Sequence, residues 1–413
     1  MKKVLPPLLL VLMFAVLLPE AQAAGEAAYR LSERTYRQLS SVHKLMEQQR
    51  YDEALAGLDR MRPRVEHKAH EHALLLQTYG YLFASTEQYQ RAVDALSRSL
   101  ALKALPQPAS ERSLYTLAQL QMALDDTTAA LASLEQWFQL VEDPAPDAYA
   151  FAGTAYAQAR RYPEAVKQLN KAIALAGKPQ ETWYRQLLAV YYQSEQYRAA
   201  VQLLEQMIHR FPQHKDYWLQ LSAVHRELGD DLQAMAVMEL AHVQGLLTEE
   251  SELVNLAKYY LYMGLPHKAG QLLDAALEQG SVTADADNWQ LLVDAWLQAR
   301  EIDRALAASE RALQSAQHAD LHLKRARLLA DKEQWSDVIT AVERAFAAAK
   351  LTSPGNAHLL QGIAHYHLGQ LARAQSSFER ARAFSDSADQ ARQWISATRT
   401  SVAEHYASAY SSD

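Results

Sequence analysis

Residues 149–179 read YAFAGTAYAQARRYPEAVKQLNKAIALAGKP, and this stretch decides the fold. Gly153 precedes Ala165 by twelve residues, Leu169 follows it by four, and Pro179 closes the segment. The alanine returns about every 35 residues in the same setting, at Ala54, Ala92, Ala130, Ala200, Ala234, Ala269, Ala305 and Ala374, with Val338 in the ninth slot. A larger apolar residue stands four positions later in most copies: Leu58, Leu96, Leu134, Leu204, Met238, Leu273, Val342, Phe378. A small residue stands twelve positions earlier in several: Gly80, Ala118, Ala257, Ala326, Gly362. Self-similarity at this period means one helix–turn–helix unit stacked many times.

With the alanine at position 20 of each unit, position 8 falls on a first helix and position 20 on a second. Two antiparallel helices approach closely only where the crossing residues are small. Larger residues at positions 4, 7, 11 and 24 fill the grooves around that crossing, as Tyr149, Ala152, Tyr156 and Leu169 do in the fourth unit. Helix stops fall where turns belong: Gly229, Gly264 and Gly369 within pairs, and Pro106, Pro144, Pro179 and Pro212 after second helices. The chain is therefore expected to be all-α, with about ten helix pairs over residues 24–385. A further helix over 386–413 covers the exposed face of the last pair, and its final residues fray. The longest interruptions are Lys103–Arg112, Glu142–Asp147 and Ser281–Asn288; the first two follow second helices and read as long inter-repeat turns.

At these residues the sequence resembles the tetratricopeptide repeat. The family pattern W-x2-L-G/A-x2-Y, then Y-x2-A-x3-L/F, then P, stands nearly whole in Tyr149, Gly153, Tyr156, Tyr162, Ala165, Leu169 and Pro179. It recurs in Trp218 with Leu221, and in Tyr191, Tyr197, Ala200, Leu204 and Pro212. The resemblance implies a right-handed superhelical solenoid.

The first 23 residues combine a basic end (Lys2, Lys3), an apolar run from Leu8 to Leu18 and the small-residue pattern Ala21-Gln22-Ala23. These are the parts of a secretory signal peptide, too short for a comfortable membrane span. Cleavage is expected after Ala23, leaving a chain in the periplasm without an integral span. The chain has no cysteine, which removes disulfides, thiolate metal sites and cysteine nucleophiles. Its net charge of −7 becomes −8 once Lys2, Lys3 and Glu20 are lost. An acidic chain without a basic stripe is a poor partner for nucleic acid or anionic lipid.

No motif carries catalysis. The phosphate loop G-x4-G-K-S/T, G-x-G-x-x-G and G-x-S-x-G are all missing. His70-Glu71-His72 begins like a zinc-protease helix, but Leu74 stands where the second histidine is required. His67 and His70 share a helical face near Glu71, yet a solvated turn explains them better than a metal. His358 and His365 occupy packing positions 4 and 11. Acidic pairs such as Asp230-Asp231 and Glu249-Glu250 sit at helix starts, where a carboxylate complements the helix dipole. No catalytic residue, metal or cofactor is assigned.

In the resembling repeats, positions 2, 5, 6, 9, 12 and 13 of first helices line a concave face. Transferred here, that pattern selects Arg185 and Tyr192 in the fifth unit and Arg226 in the sixth. It adds Lys258 and Tyr262 in the seventh and Asp294 in the eighth. Tyr and Arg are enriched where partners bind, so these six form the expected partner-binding set. The Lys and Asn set with which some repeats clamp a terminal carboxylate is present only in fragments, as Asn255 with Lys258 and Lys324 with Arg327.

A narrower resemblance lies in Leu31–Met61 and Tyr217–Gly280, above all in MELAHVQGLLTEESELVNLA, Met238 to Ala257. These segments look like secreted repeat proteins of Gram-negative bacteria encoded beside TonB–ExbB–ExbD energy-transduction components. That implies a periplasmic, non-enzymatic scaffold or adaptor in outer-membrane transport, with TonB/ExbB/ExbD-type components as partners. The alternative is a scaffold for polysaccharide export, outer-membrane biogenesis or cytochrome assembly. An enzyme or metal binder built on the histidines is the third reading.

Overall fold

The computed structural model describes residues 29–315, 318–348 and 351–410. Among them are 21 helices and no strand. The expected leader and its cleavage site after Ala23 lie outside the described residues. The helices fall into two units, one ending at Gln196 and the other beginning at Tyr197.

The first unit holds α1 (Glu33–Glu47), α2 (Tyr51–Val65), α3 (Ala69–Ser85), α4 (Tyr89–Ala101), α5 (Gln107–Ala123), α6 (Thr127–Leu140), α7 (Pro146–Gln158), α8 (Tyr162–Leu175) and α9 (Glu181–Gln193). The second holds α10 (Tyr197–Arg210), α11 (Lys215–Glu227), α12 (Asp231–Val243), α13 (Glu250–Tyr262), α14 (Pro266–Glu278) and α15 (Ala286–Gln298). It continues with α16 (Ile302–Ser315), α17 (Ala319–Asp331), α18 (Trp335–Ala348), α19 (Pro354–His367), α20 (Leu371–Arg382) and α21 (Ala388–Tyr410). Odd-numbered helices up to α19 are the first of a pair and even-numbered ones the second. Within each unit every helix packs on the next in sequence. This is the consecutive helix-pair packing of a tetratricopeptide solenoid.

The repeat spacing has a steric cause. A Cβ added at Gly153 would stand 2.6 Å from Leu169 Cγ, one at Gly80 2.5 Å from Leu96 Cγ, and one at Gly362 2.5 Å from Phe378 Cδ1. Position 8 is lean because the position-24 side chain of the same pair lies directly on it. The position-20 alanines Ala54, Ala92, Ala130, Ala165 and Ala200 are fully buried. Within pairs the turn closes with a bond from the residue after the left-handed one to the carbonyl five residues earlier. Examples are Arg161 N–H to Tyr156 O (2.9 Å) and Asp230 N–H to His225 O (2.8 Å). That closure needs a positive φ at the helix end. Gly229, Gly264 and Gly369 supply it, and Asp125 and Arg160 adopt it without being glycine.

The expected long turns are corrected by the structure. Helix α5 begins at Gln107, with Pro106 as its cap and Pro108 in its first turn, so most of Lys103–Arg112 is helical. Proline is tolerated there because first-turn N–H groups have no helical acceptor. Helices α3 and α5 run 17 residues where α7 and α9 run 13. The wider spacing from Ala54 to Ala92 to Ala130 is thus an added helical turn. Helix α7 likewise absorbs Pro146 and Asp147. The Ser281–Asn288 segment is short and pinned: Val282 is buried, Asp285 caps α15 through Asn288 N–H, and the Asn288 amide donates to Glu250 and to Thr283 O.

At the start of the first unit Ser32 Oγ caps α1 by accepting from Thr35 N–H. At the other end α21 lays Ala391 and Ile395 against Ala374 and Phe378, and Trp394 stacks on Phe378 at 5.6 Å between ring centroids.

Candidate partner-binding surface

Successive first helices are tied at their starts by polar side chains. In the first unit the buried Glu71 carboxylate accepts from Ser32 N–H (3.1 Å) and Thr35 Oγ1 (2.8 Å), and Gln180 Nε2 donates to Asp147 (3.0 Å). In the second, Lys215 Nζ lies 2.8 Å from Glu249 and 2.6 Å from Glu252. Glu252 also closes a capping box with Glu249, and Thr352 Oγ1 donates to Asp320 at 2.6 Å. Burial raises the Glu252 carboxyl, but the Lys215 bond and the N–H groups of Glu249 and Thr248 outweigh it, leaving it below the ordinary carboxylate value. Donating to the Glu249 carboxylate holds the Lys215 ammonium well above its ordinary value, with the bond to Glu252 adding to it. These ties hold the starts of neighbouring first helices to one another.

The six expected residues do not form one cluster. Arg185 and Tyr192 belong to α9 of the first unit, Arg185 exposed and Tyr192 half-buried. Arg226, Lys258, Tyr262 and Asp294 belong to the second unit, on α11, α13 and α15. Arg226 and Lys258 are exposed and make no ion pair among the described residues. Tyr262 is 71% exposed, the largest apolar surface on α13. It is nevertheless held in place. Its ring stacks on Tyr259 with 8° between planes, and both hydroxyls reach Asp231 of α12, at 3.2 Å for Tyr259 and 3.3 Å for Tyr262. Burial and then the Asp231 bond push the Tyr259 hydroxyl above its ordinary value, so it stays a donor; the nearby Arg226 charge opposes this. Asp294 is already engaged, with Lys324 Nζ at 2.6 and 2.8 Å from its two oxygens.

Sequence reasoning missed Tyr259 and Asp231 as the support of Tyr262. Asp231 is at a helix start, as expected, but it accepts from the next repeat's tyrosines. The signal was present in the spacing: Tyr259 and Tyr262 are three apart and share a helical face. The Asp294–Lys324 pair was legible as opposite charges at positions 9 and 6 of adjacent first helices.

His70, His358 and His365 take part in packing, while His67 stays exposed. His67 lies in the turn before α3, and His70 Nδ1 is 2.7 Å from Ala104 O. His358 lies between the rings of Phe346 and Phe384, and His365 Nδ1 is 2.8 Å from Gln370 Oε1. Burial, and then Arg380, depress the His358 imidazole. Among the described residues no three His, Asp or Glu side chains are placed to hold a metal ion, and no helix is long and apolar enough to cross a membrane.

Comparison with known proteins bears on the repeat type. The tetratricopeptide repeat model matches residues 115–181, 187–243 and 323–391. No curated protein matches. Among solved structures, a chain of Naa15/Naa10 bound to HypK-THB is similar over 81% of this chain and 52% of its own, at 15% identity and a TM-score of 0.43. This chain therefore spans about half the length of that relative. A tetratricopeptide repeat protein from Parabacteroides merdae is similar over 70% of this chain and 99% of its own, at 14% identity and a TM-score of 0.28. A thermophilic repeat protein of Thermus thermophilus is similar over 45% and 99%, at 17% identity and a TM-score of 0.29. Residues 115–181, 187–243 and 323–391 of this chain are thus similar to tetratricopeptide repeats, a fold that suggests a scaffold for protein–protein interaction.

Proposed function

We propose that this chain is a non-enzymatic scaffold of the cell envelope that holds a protein partner against its first helices. The observation that carries the reading is the outward set on α11 and α13. Arg226 and Lys258 keep all their donors for a partner, beside a Tyr262 ring that is exposed yet held by Tyr259 and Asp231. A large amphipathic side chain already fixed before binding gives contact area at low entropic cost. Arg185 and Tyr192 serve the same role in the first unit, and Asp294 with Lys324 forms a neutral border. The leader reading of residues 1–23 supports a periplasmic place. The likeness of Leu31–Met61 and Tyr217–Gly280 to proteins encoded with TonB–ExbB–ExbD components supports a partner of that type, in proton-motive outer-membrane transport.

The test combines Arg226→Ala, Lys258→Ala and Tyr262→Ala in one chain. All three side chains face solvent, so helicity and melting should be unchanged, while recovery of the envelope partner after crosslinking should be lost. Full recovery of that partner would remove the first-helix surface as the binding site. Amino-terminal sequencing of protein from a native envelope tests the location: Ala24 is expected first, and an intact Met1 in the inner-membrane fraction would refute cleavage.

A further inference from the structure

Position 26 of the second helix faces solvent in all ten repeats. Six repeats place a cation there: Arg60, Arg98, Lys171, Arg311, Arg344 and Arg380. The third, fifth, sixth and seventh do not, having Gln136, Gln206, Leu240 and Ala275, so the three consecutive repeats around the sixth all lack it. On α12 the departure goes further. Leu232, Leu240 and Val243, at positions 18, 26 and 29, are 61%, 52% and 72% exposed, with Ala236 between them at position 22. Every other repeat has a polar residue, proline or alanine at those three positions. At 3.6 residues per turn the four side chains fall within about 80° of the helix circumference, in a stripe about 16 Å long.

We infer that this stripe docks a second copy of the chain, α12 against α12 in antiparallel fashion about a two-fold axis near Met238. A two-fold contact uses the same patch twice, so it must be complementary to itself. The stripe meets that condition. Antiparallel pairing sets Leu232 against Val243 of the second copy, and the small Ala236 against its Leu240. Charge points the same way. A two-fold axis turns each row of like charges onto its own kind, which is repulsive. Positions 22 and 26 of α10, α12 and α14 carry no charge at all: Gln202, Gln206, Ala236, Leu240, Gln271 and Ala275. The cation row is interrupted where the axis passes. The apolar area is modest, on the order of 300 Å² for three such side chains, against the roughly 800 Å² per partner of a standard interface. The dimer is therefore weak and reversible, and it leaves the first-helix surface free.

Sedimentation equilibrium of the exported chain from about 1 to 200 μM, the range where small interfaces dissociate, should show mass rising from monomer toward dimer. Leu240→Arg restores the cation that six other repeats carry, so it should fold and melt as the wild type does yet remain monomeric. Because the chain has no cysteine, geometry can be read directly. Chains with Leu232→Cys mixed with chains carrying Val243→Cys should form disulfide-linked dimers on mild oxidation, and neither should do so alone. A wild-type chain that stays monomeric throughout overturns the proposal and leaves the stripe to a helix of another protein. Dimerisation unaffected by Leu240→Arg, or either cysteine chain crosslinking to itself as readily as the mixture, overturns it as well.

Discussion

Lys324 Nζ stands 2.6 Å from one Asp294 carboxylate oxygen and 2.8 Å from the other, so position 6 of α17 neutralises position 9 of α15. The pair joins two adjacent first helices and removes Asp294 from the groups a partner can engage at no cost. Both side chains keep some solvent contact, 26% for Lys324 and 36% for Asp294. A double-mutant cycle of Asp294→Asn and Lys324→Met, followed by denaturant unfolding, should give a coupling of about 0.2–1 kcal/mol, as exposed pairs do. Asp294→Asn should also weaken partner recovery less than Lys258→Ala. A coupling of several kcal/mol would mean the pair is a buried linchpin.

Gly153→Ala and Ala165→Leu should both destabilise the chain. The first places a Cβ 2.6 Å from Leu169 Cγ, and the second forces bulk into a fully buried crossing. Overpacking of this kind costs about 1–3 kcal/mol, and coupling between neighbours spreads the loss to adjacent repeats. Thermal unfolding checks it. Melting temperatures equal to wild type for both variants would mean the position-8 and position-20 assignments are wrong.

Acid should loosen the first repeats through Glu71. Burial raises this carboxyl, but bonds from Thr35, Ser32 and Lys68 outweigh it and hold it below its ordinary 4.5. A carboxylate depressed in the folded state contributes stability above its unfolded value, and that contribution is lost as pH falls through the folded one. Hydrogen exchange of α1 should therefore accelerate as pH drops below the ordinary carboxylate range, after correction for the intrinsic rate. Glu71→Gln should show weaker protection at pH 7 and a flatter pH response. An unaltered pH response in that variant would contradict the assignment.

Much of the architecture was legible because it rests on short-range steric rules. Ala165, Leu169 and Gly153 constrain one another within a single pair, so their spacing survives in the sequence. What the sequence concealed depends on neighbours about 30 residues away. Glu71 read as part of a solvated His-Glu-His run, yet it is buried because α1 sets Ser32 and Thr35 against it. Pro106 and Pro108 read as turn residues, and the first helical turn of α5 accommodates both. Tyr262 was chosen from its register alone. Its support by Tyr259 and Asp231 depends on how α13 lies against α12, which no local pattern specifies.

The most direct measurement places a photo-crosslinking residue at position 258, on the first helix α13, and separately at position 344, on the second helix α18, in cells under native expression. A discrete adduct between this chain and another envelope protein is expected from position 258, lost when Arg226 and Tyr262 are also replaced by alanine, and no such adduct from position 344. An adduct from position 344 with none from position 258 would contradict the claim that first helices hold the partner.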